Sequence, residues 1–154
     1  MAADIRALIL EELDTILAGV ATHLGHNYYY NRGSFATNMR PCIVLLDGVE
    51  ENRLFSNGRG RRALSLMLVT LKPEIFGLLT NEEPKNDGQS AKLSAMRLEI
   101  IRAIAASDNL IALVGANGDV VYNGCETDFQ NTGTMDGKIQ MNFEFVYVLN
   151  PYEP

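Results

Sequence analysis

Few side chains in this sequence have the type and spacing to do chemistry. His23 and His26 could share a metal ion, but Gly25 lies between them and no acidic or thiol residue stands nearby in sequence. Cys42 and Cys125 are far apart, with no CxxC, and read as free thiols of a protein made in a reducing compartment. Two histidines, two cysteines and scattered serines make a nucleophilic triad arithmetically possible, yet no GxSxG, HExxH or P-loop occurs. The run Asn57-Gly58-Arg59-Gly60-Arg61-Arg62 has the composition of an anion-binding loop but lacks the Lys-Ser/Thr that would grip a nucleotide and its metal. The expectation is no catalytic residue, no metal and no cofactor, and hence a protein that is not an enzyme.

Charge points instead to contacts with other macromolecules. Arg53, Arg59, Arg61 and Arg62 hold four of the 13 basic residues of an acidic chain, which suits an acidic partner surface or a passing phosphate backbone. Simple solvation is the bland alternative. Glu82, Glu83 and Asp87 could be the complement of that cluster on a neighbouring copy. Tyr28, Tyr29 and Tyr30 cannot all face one core, so at least one is exposed or lies in an interface, where tyrosine is enriched; Tyr28 and Tyr30 are the candidates.

These residues need a scaffold, and the composition supplies one. A chain of 154 residues, 47% hydrophobic, fits a single domain spanning 1–154. A net charge of −6 and a pI near 4.9 argue against a protein that coats nucleic acid. Asp4, Glu11, Glu12 and Asp14 interrupt the apolar amino-terminal stretch, and no apolar run approaches bilayer length, so a soluble, cytosolic product is expected.

In chain order, Asp4 caps a helix whose apolar residues, Ile5 to Leu24, recur at three- and four-residue spacing until Gly25 stops it. Tyr28 to about Phe35 reads as a short strand, and Cys42–Leu46 as a strand buried on both faces. Long loops are expected at about 48–62 and 81–90. Between them Leu64–Leu79 forms a central strand that Pro73 divides. Leu93, Met96, Ile100, Ala103 and Ile104 mark a second helix over about 91–106, with Ser90 as its cap and Ser107-Asp108-Asn109 as its end, followed by an apolar linker. Asp119–Thr127 is a strand with a bulge at Gly124, and Asp136-Gly137 turns the chain into the last strand. In that strand Ile139, Met141, Phe143, Phe145, Tyr147 and Leu149 alternate with Lys138, Gln140, Asn142 and Glu144, which makes one apolar and one wet face. Beyond Val146 both faces turn apolar, so that end is covered on both sides or meets another subunit. The fold class is α/β in the α+β sense: a mostly antiparallel sheet of four to five strands with two helices packed on it.

The series PCIVLLDG, LSAMRLEIIRAIAASDNL, DVVYNGCETD and KIQMNFEFVYVL, after a leading amphipathic helix, resembles the tail terminator proteins of long-tailed bacteriophages over nearly the whole chain. The resemblance lies in architecture and in the register of apolar positions, with no catalytic signature. It implies helices on a mostly antiparallel sheet and a homohexameric ring that caps the finished tail tube. It further implies as partners the chain itself, the tail tube protein and a head–tail connector, with DNA only passing through the lumen and no membrane. The location implied is the head-proximal end of the tail in the virion, after synthesis in the host cytoplasm. Another head–tail neck component is the alternative within that class, and a small-molecule-binding α+β domain is the alternative outside it.

Overall fold

The computed structural model describes residues 4–32, 39–54, 66–79, 87–132 and 134–151. Helix α1 spans Ile5–Leu24. Asp4 precedes it in an extended conformation and its carboxylate accepts from the Arg6 backbone N–H at 3.1 Å, satisfying one of the donors a helix start leaves free. At the other end Gly25 adopts the left-handed conformation with φ 72°, and its N–H and that of His26 return to the carbonyls of Thr22 and Ala21. Strand β1, Asn27–Tyr30, is shorter than its sequence suggests, because Asn31 turns left-handed with φ 55° and donates its N–H to the Leu45 carbonyl.

Strand β2 covers Cys42–Leu54 and β3 covers Met67–Leu78. The expected loop at 48–62 therefore begins later, since Gly48 to Leu54 continue the sheet. The turn signal Asp47-Gly48 is absorbed as a β-bulge: the register passes from Leu46 opposite Glu74 to Val49 opposite Lys72, so two residues oppose Pro73. Pro73 does not divide β3. It sits where the ladders on both sides are interrupted, the pairing with the last strand stepping from Leu71–Phe145 to Glu74–Asn142, so its missing N–H costs no ladder bond.

Helix α2 runs over Asp87–Ala105, so the loop expected at 81–90 ends before Asp87 and Ser90, expected as the cap, lies within the helix. The apolar linker after it is a third helix, α3, Asp108–Val114, because Ser107 ends one helix and caps the next, its hydroxyl accepting from the Leu110 N–H at 3.3 Å. Strands β4, Asp119–Thr132, and β5, Thr134–Leu149, form the expected hairpin. Its closure differs from the expected one, since Thr132 pairs with Thr134 while Asp136 and Gly137 pair with Gln130 and Phe129 inside the ladder. The expected bulge is present between Tyr122 and Gly124.

The five strands lie in the order β1-β2-β3-β5-β4, with β1 parallel to β2 and the other neighbours antiparallel. The fold is α+β, with a mixed five-stranded sheet and three helices among the described residues. One face of the sheet carries the main core. Ile9, Leu13 and Leu17 of α1, Met96 and Ile100 of α2 and Leu110 of α3 pack against Ile43, Leu45, Leu71, Ile75 and alternate residues of β5. Ile139, Met141, Phe143, Phe145 and Tyr147 are all at most 3% exposed, so the alternation in sequence is the alternation of burial. The opposite face carries a smaller cluster, in which Cys42, Val44 and Leu78 are buried with Tyr29, Leu46 and Phe76 beside them. Val146 and Val148, on that same face, are half-buried.

Candidate interaction surface

The three consecutive tyrosines separate by strand alternation. Tyr28 packs against the main core and its hydroxyl donates to Asp14 Oδ1 at 2.7 Å, which joins β1 to α1. Burial first, and then the Asp14 carboxylate, raise its ionisation well above the ordinary tyrosine value. Tyr29 lies with the small cluster on the other face, with the Arg32 guanidinium carbon 5.4 Å from its ring centroid. Tyr30 is 40% exposed, and its hydroxyl donates to Asp47 Oδ1 at 2.5 Å. Its pKa is pushed up to about 12 by burial and by that carboxylate. Tyr28 is therefore a core and helix-anchoring residue, and Tyr30 is the one of the pair that reaches the surface.

Tyr30 belongs to a polar group that sequence reasoning missed. Asp47 receives the Tyr30 hydroxyl, stands 3.7 Å from Arg6 Nη2, and donates its backbone N–H to Asn31 Oδ1 at 3.1 Å. The missing signal is spatial: the bulge at Asp47-Gly48 brings β2 beside the end of β1 and the first turn of α1. Arg53 is exposed near the end of β2, opposite Leu68 of β3 and on the sheet face away from the helices. Toward the bulge on that face, Lys72 Nζ lies 3.0 Å from Glu51 Oε2 and 3.7 Å from Glu144 Oε1. The Glu51 contact is the main cause of an upward shift in its pKa. Val49, 58% exposed, borders the same shallow hollow of about 290 Å³ with Asn142 and Gln140.

Arg59, Arg61, Arg62, Glu82 and Glu83 lie outside the described residues. Asp87 is the first residue of α2. His23 is exposed in the last turn of α1, while His26 has its Nδ1 buried and burial lowers its pKa. Among the described residues no group of three or more His, Cys, Asp or Glu side chains could hold a metal ion. Cys42 is fully buried and burial pushes its thiol up to about 11, which makes it inert, whereas Cys125 is exposed.

A further pair escaped the sequence reading. Arg97 of α2 donates through Nε to the Tyr122 hydroxyl at 2.9 Å, with its guanidinium carbon 5.3 Å from the ring centroid. Cys125 stands close enough to both to influence their ionisation. The bulge at Gly124 sets this contact by shifting Cys125 to the register of Met141. No helix among the described residues is long and apolar enough to cross a membrane. The chain matches no protein-family model and no curated protein.

Proposed function

We propose that this protein is a structural component of a bacteriophage tail, forming a homohexameric ring that caps the completed tube and offers the surface for head joining. The observation that carries this reading is the unlikeness of the two flanks of the sheet. One flank presents Tyr30, Asp47 and Arg6 beside β1, with exposed Arg53 further along β2. The other is the long β4, with exposed Asp119 and Glu126, below the exposed Ile111 of α3. A closed ring of identical chains needs two different complementary patches, so unlike flanks suit it. The arginine-rich segment that holds Arg59, Arg61 and Arg62 adds a basic patch to an acidic chain. An acidic balance also suits a lumen through which DNA passes without being held. These features add to the resemblance in apolar register along the chain.

The test is electron microscopy of particles made when the parent genome carries an early stop codon in this reading frame. Filled heads without tails, accompanied by tubes of uncontrolled length, are the expected outcome. Tails of normal length that fail to join heads would reassign the protein to another neck component. Normal virions would remove the assignment altogether.

A further inference from the structure

The three helices lie on one face of the sheet, so the sides they turn away from the core look in a common direction. On α1 that side carries Leu8, Glu11, Glu12 and Thr15, at three- and four-residue spacing and opposite the buried Ile9, Leu13 and Leu17. With Ala112 and Leu113 of α3 these residues line an open groove of about 390 Å³. Leu8 and Leu113 make its walls apolar, and both of the charged residues described in it are carboxylates. Glu11 is exposed, while Glu12 accepts from the Ser107 hydroxyl at 3.2 Å and is held in place.

The outward side of α2 has the opposite charge. Ala95, Leu98 and Arg102 recur there at three- and four-residue spacing, opposite the buried Met96, Ile100 and Ile104. Leu98 is 40% exposed and projects beyond the small Ala95, and Arg102 is exposed one turn further on. A ridge with an apolar tip beside a cation thus stands near a groove with apolar walls beside carboxylates. On one molecule the two look the same way, so they cannot meet. A twofold axis between two facing copies brings the ridge of each onto the groove of the other, and both contacts form at once.

We infer that two copies of this chain pair through their helical layers, Leu98 of each copy entering the α1–α3 groove of the other and Arg102 meeting Glu11. The contact is reciprocal and closes at two chains, so it is separate from the head-to-tail contact of a ring and stands or falls without it. Ile111 takes no part, because it faces the neighbouring hollow between α2 and β4. Helices α1 and α2, of 20 and 19 residues, together present a layer roughly 30 Å long and 20 Å wide, on the order of 600 Å² per copy. That is the low end for a specific interface and corresponds to a pair of about micromolar affinity.

Sedimentation velocity of the full chain over a concentration series reads the pairing. A species of two chains that dissociates in the micromolar range is expected. Glu11→Lys and Arg102→Glu, both at exposed positions, each weaken it about tenfold or more, since both contacts then set like charges together. An equimolar mixture of the two variants restores the wild-type affinity, because both contacts of the mixed pair again join opposite charges, and this recovery shows that both variants are folded. A monomer, an assembly that neither variant changes, or a mixture that fails to recover would overturn the inference. Six-chain rings that require Glu11 and Arg102 would overturn the twofold geometry. A monomer that takes a helical peptide carrying leucine beside arginine would overturn the pairing in favour of a different protein partner.

Discussion

The Tyr28 hydroxyl donates to Asp14 Oδ1 at 2.7 Å, and this one bond ties the edge strand β1 to the middle of α1. Replacing Tyr28 with Phe removes the donor and leaves the carboxylate to find water at a part-buried position. A loss of about 1–2 kcal/mol is expected from urea unfolding, with an unchanged m-value because the surface exposed on unfolding stays the same.

Gly77 of β3 lies opposite Ile139, and a Cβ added there would stand 2.2 Å from Met96 Sδ and 2.9 Å from Ile139 Cγ2. Gly77→Ala overpacks this contact between α2 and the sheet and is expected to cost about 1–3 kcal/mol. Met96→Ala alone leaves a cavity and costs about 2–5 kcal/mol. In the double variant the new methyl occupies part of that space, so the two losses combine to less than their sum. A double-mutant cycle by chemical denaturation reads the coupling; strict additivity would show that the two sites do not share space.

At Gly48 the backbone is left-handed, φ 71°, and a Cβ would lie 1.9 Å from the Lys72 carbonyl oxygen. Gly48→Ala is therefore expected to cost more than about 1 kcal/mol, and the bulge cannot relax to accept it because its partner is backbone. The same substitution at Gly19, where nothing lies within 4 Å, serves as the control and is expected to be neutral or stabilising. Thermal melts of the two variants make the comparison.

Stability should fall at both ends of the pH range. Tyr30, pushed up to about 12 by burial and Asp47, ionises in the unfolded chain near 10, and Tyr28 and Tyr147 are raised for similar reasons. Their contribution is complete below pH 10 and is lost as pH rises toward the folded values, because the unfolded chain then holds fewer protons than the native one. His26 works in the opposite sense. Burial lowers its pKa below 6.5, so its contribution is complete above 6.5 and is lost as pH falls through the folded value. Unfolding curves from pH 4.5 to 11.5, with tyrosinate absorbance at 295 nm, check both limbs. Tyr30→Phe should soften the alkaline loss, and an unchanged alkaline limb would contradict the assignment.

Reversing the charge of Arg61 and Arg62 together, to glutamate, is expected to abolish ring assembly while leaving the circular dichroism spectrum of the chain intact. Analytical ultracentrifugation supplies the measurement. Rings that form as in the wild type would exclude the arginine segment from the interface.

Much of the architecture was legible because local rules and tertiary packing agree. The alternation from Ile139 to Tyr147, the cap at Asp4 and the stop at Gly25 each express a short-range preference that burial then reinforces. Errors arose where one residue signal serves two conformations. Asp47-Gly48 has turn chemistry, and only the presence of β3 alongside turns it into a bulge that prolongs β2. Ser107 ends one helix and begins another, a choice made by Leu110 and Val114 finding the main core and by the Ser107 hydroxyl donating to Glu12 of α1 at 3.2 Å.

The sequence by itself determined an α+β domain, the two longer helices, the central place of β3, the faces of β5 and the absence of any familiar catalytic motif, because these follow from side-chain periodicity and residue type. Only the tertiary structure decided which polar residues meet. Tyr30 reaches Asp47 across 17 positions, Arg97 reaches Tyr122 across 25 and Tyr147 reaches Glu50 across 97. Such pairs depend on strand order and bulge position, which are set by the packing of the whole sheet on its helices and leave no mark in local sequence.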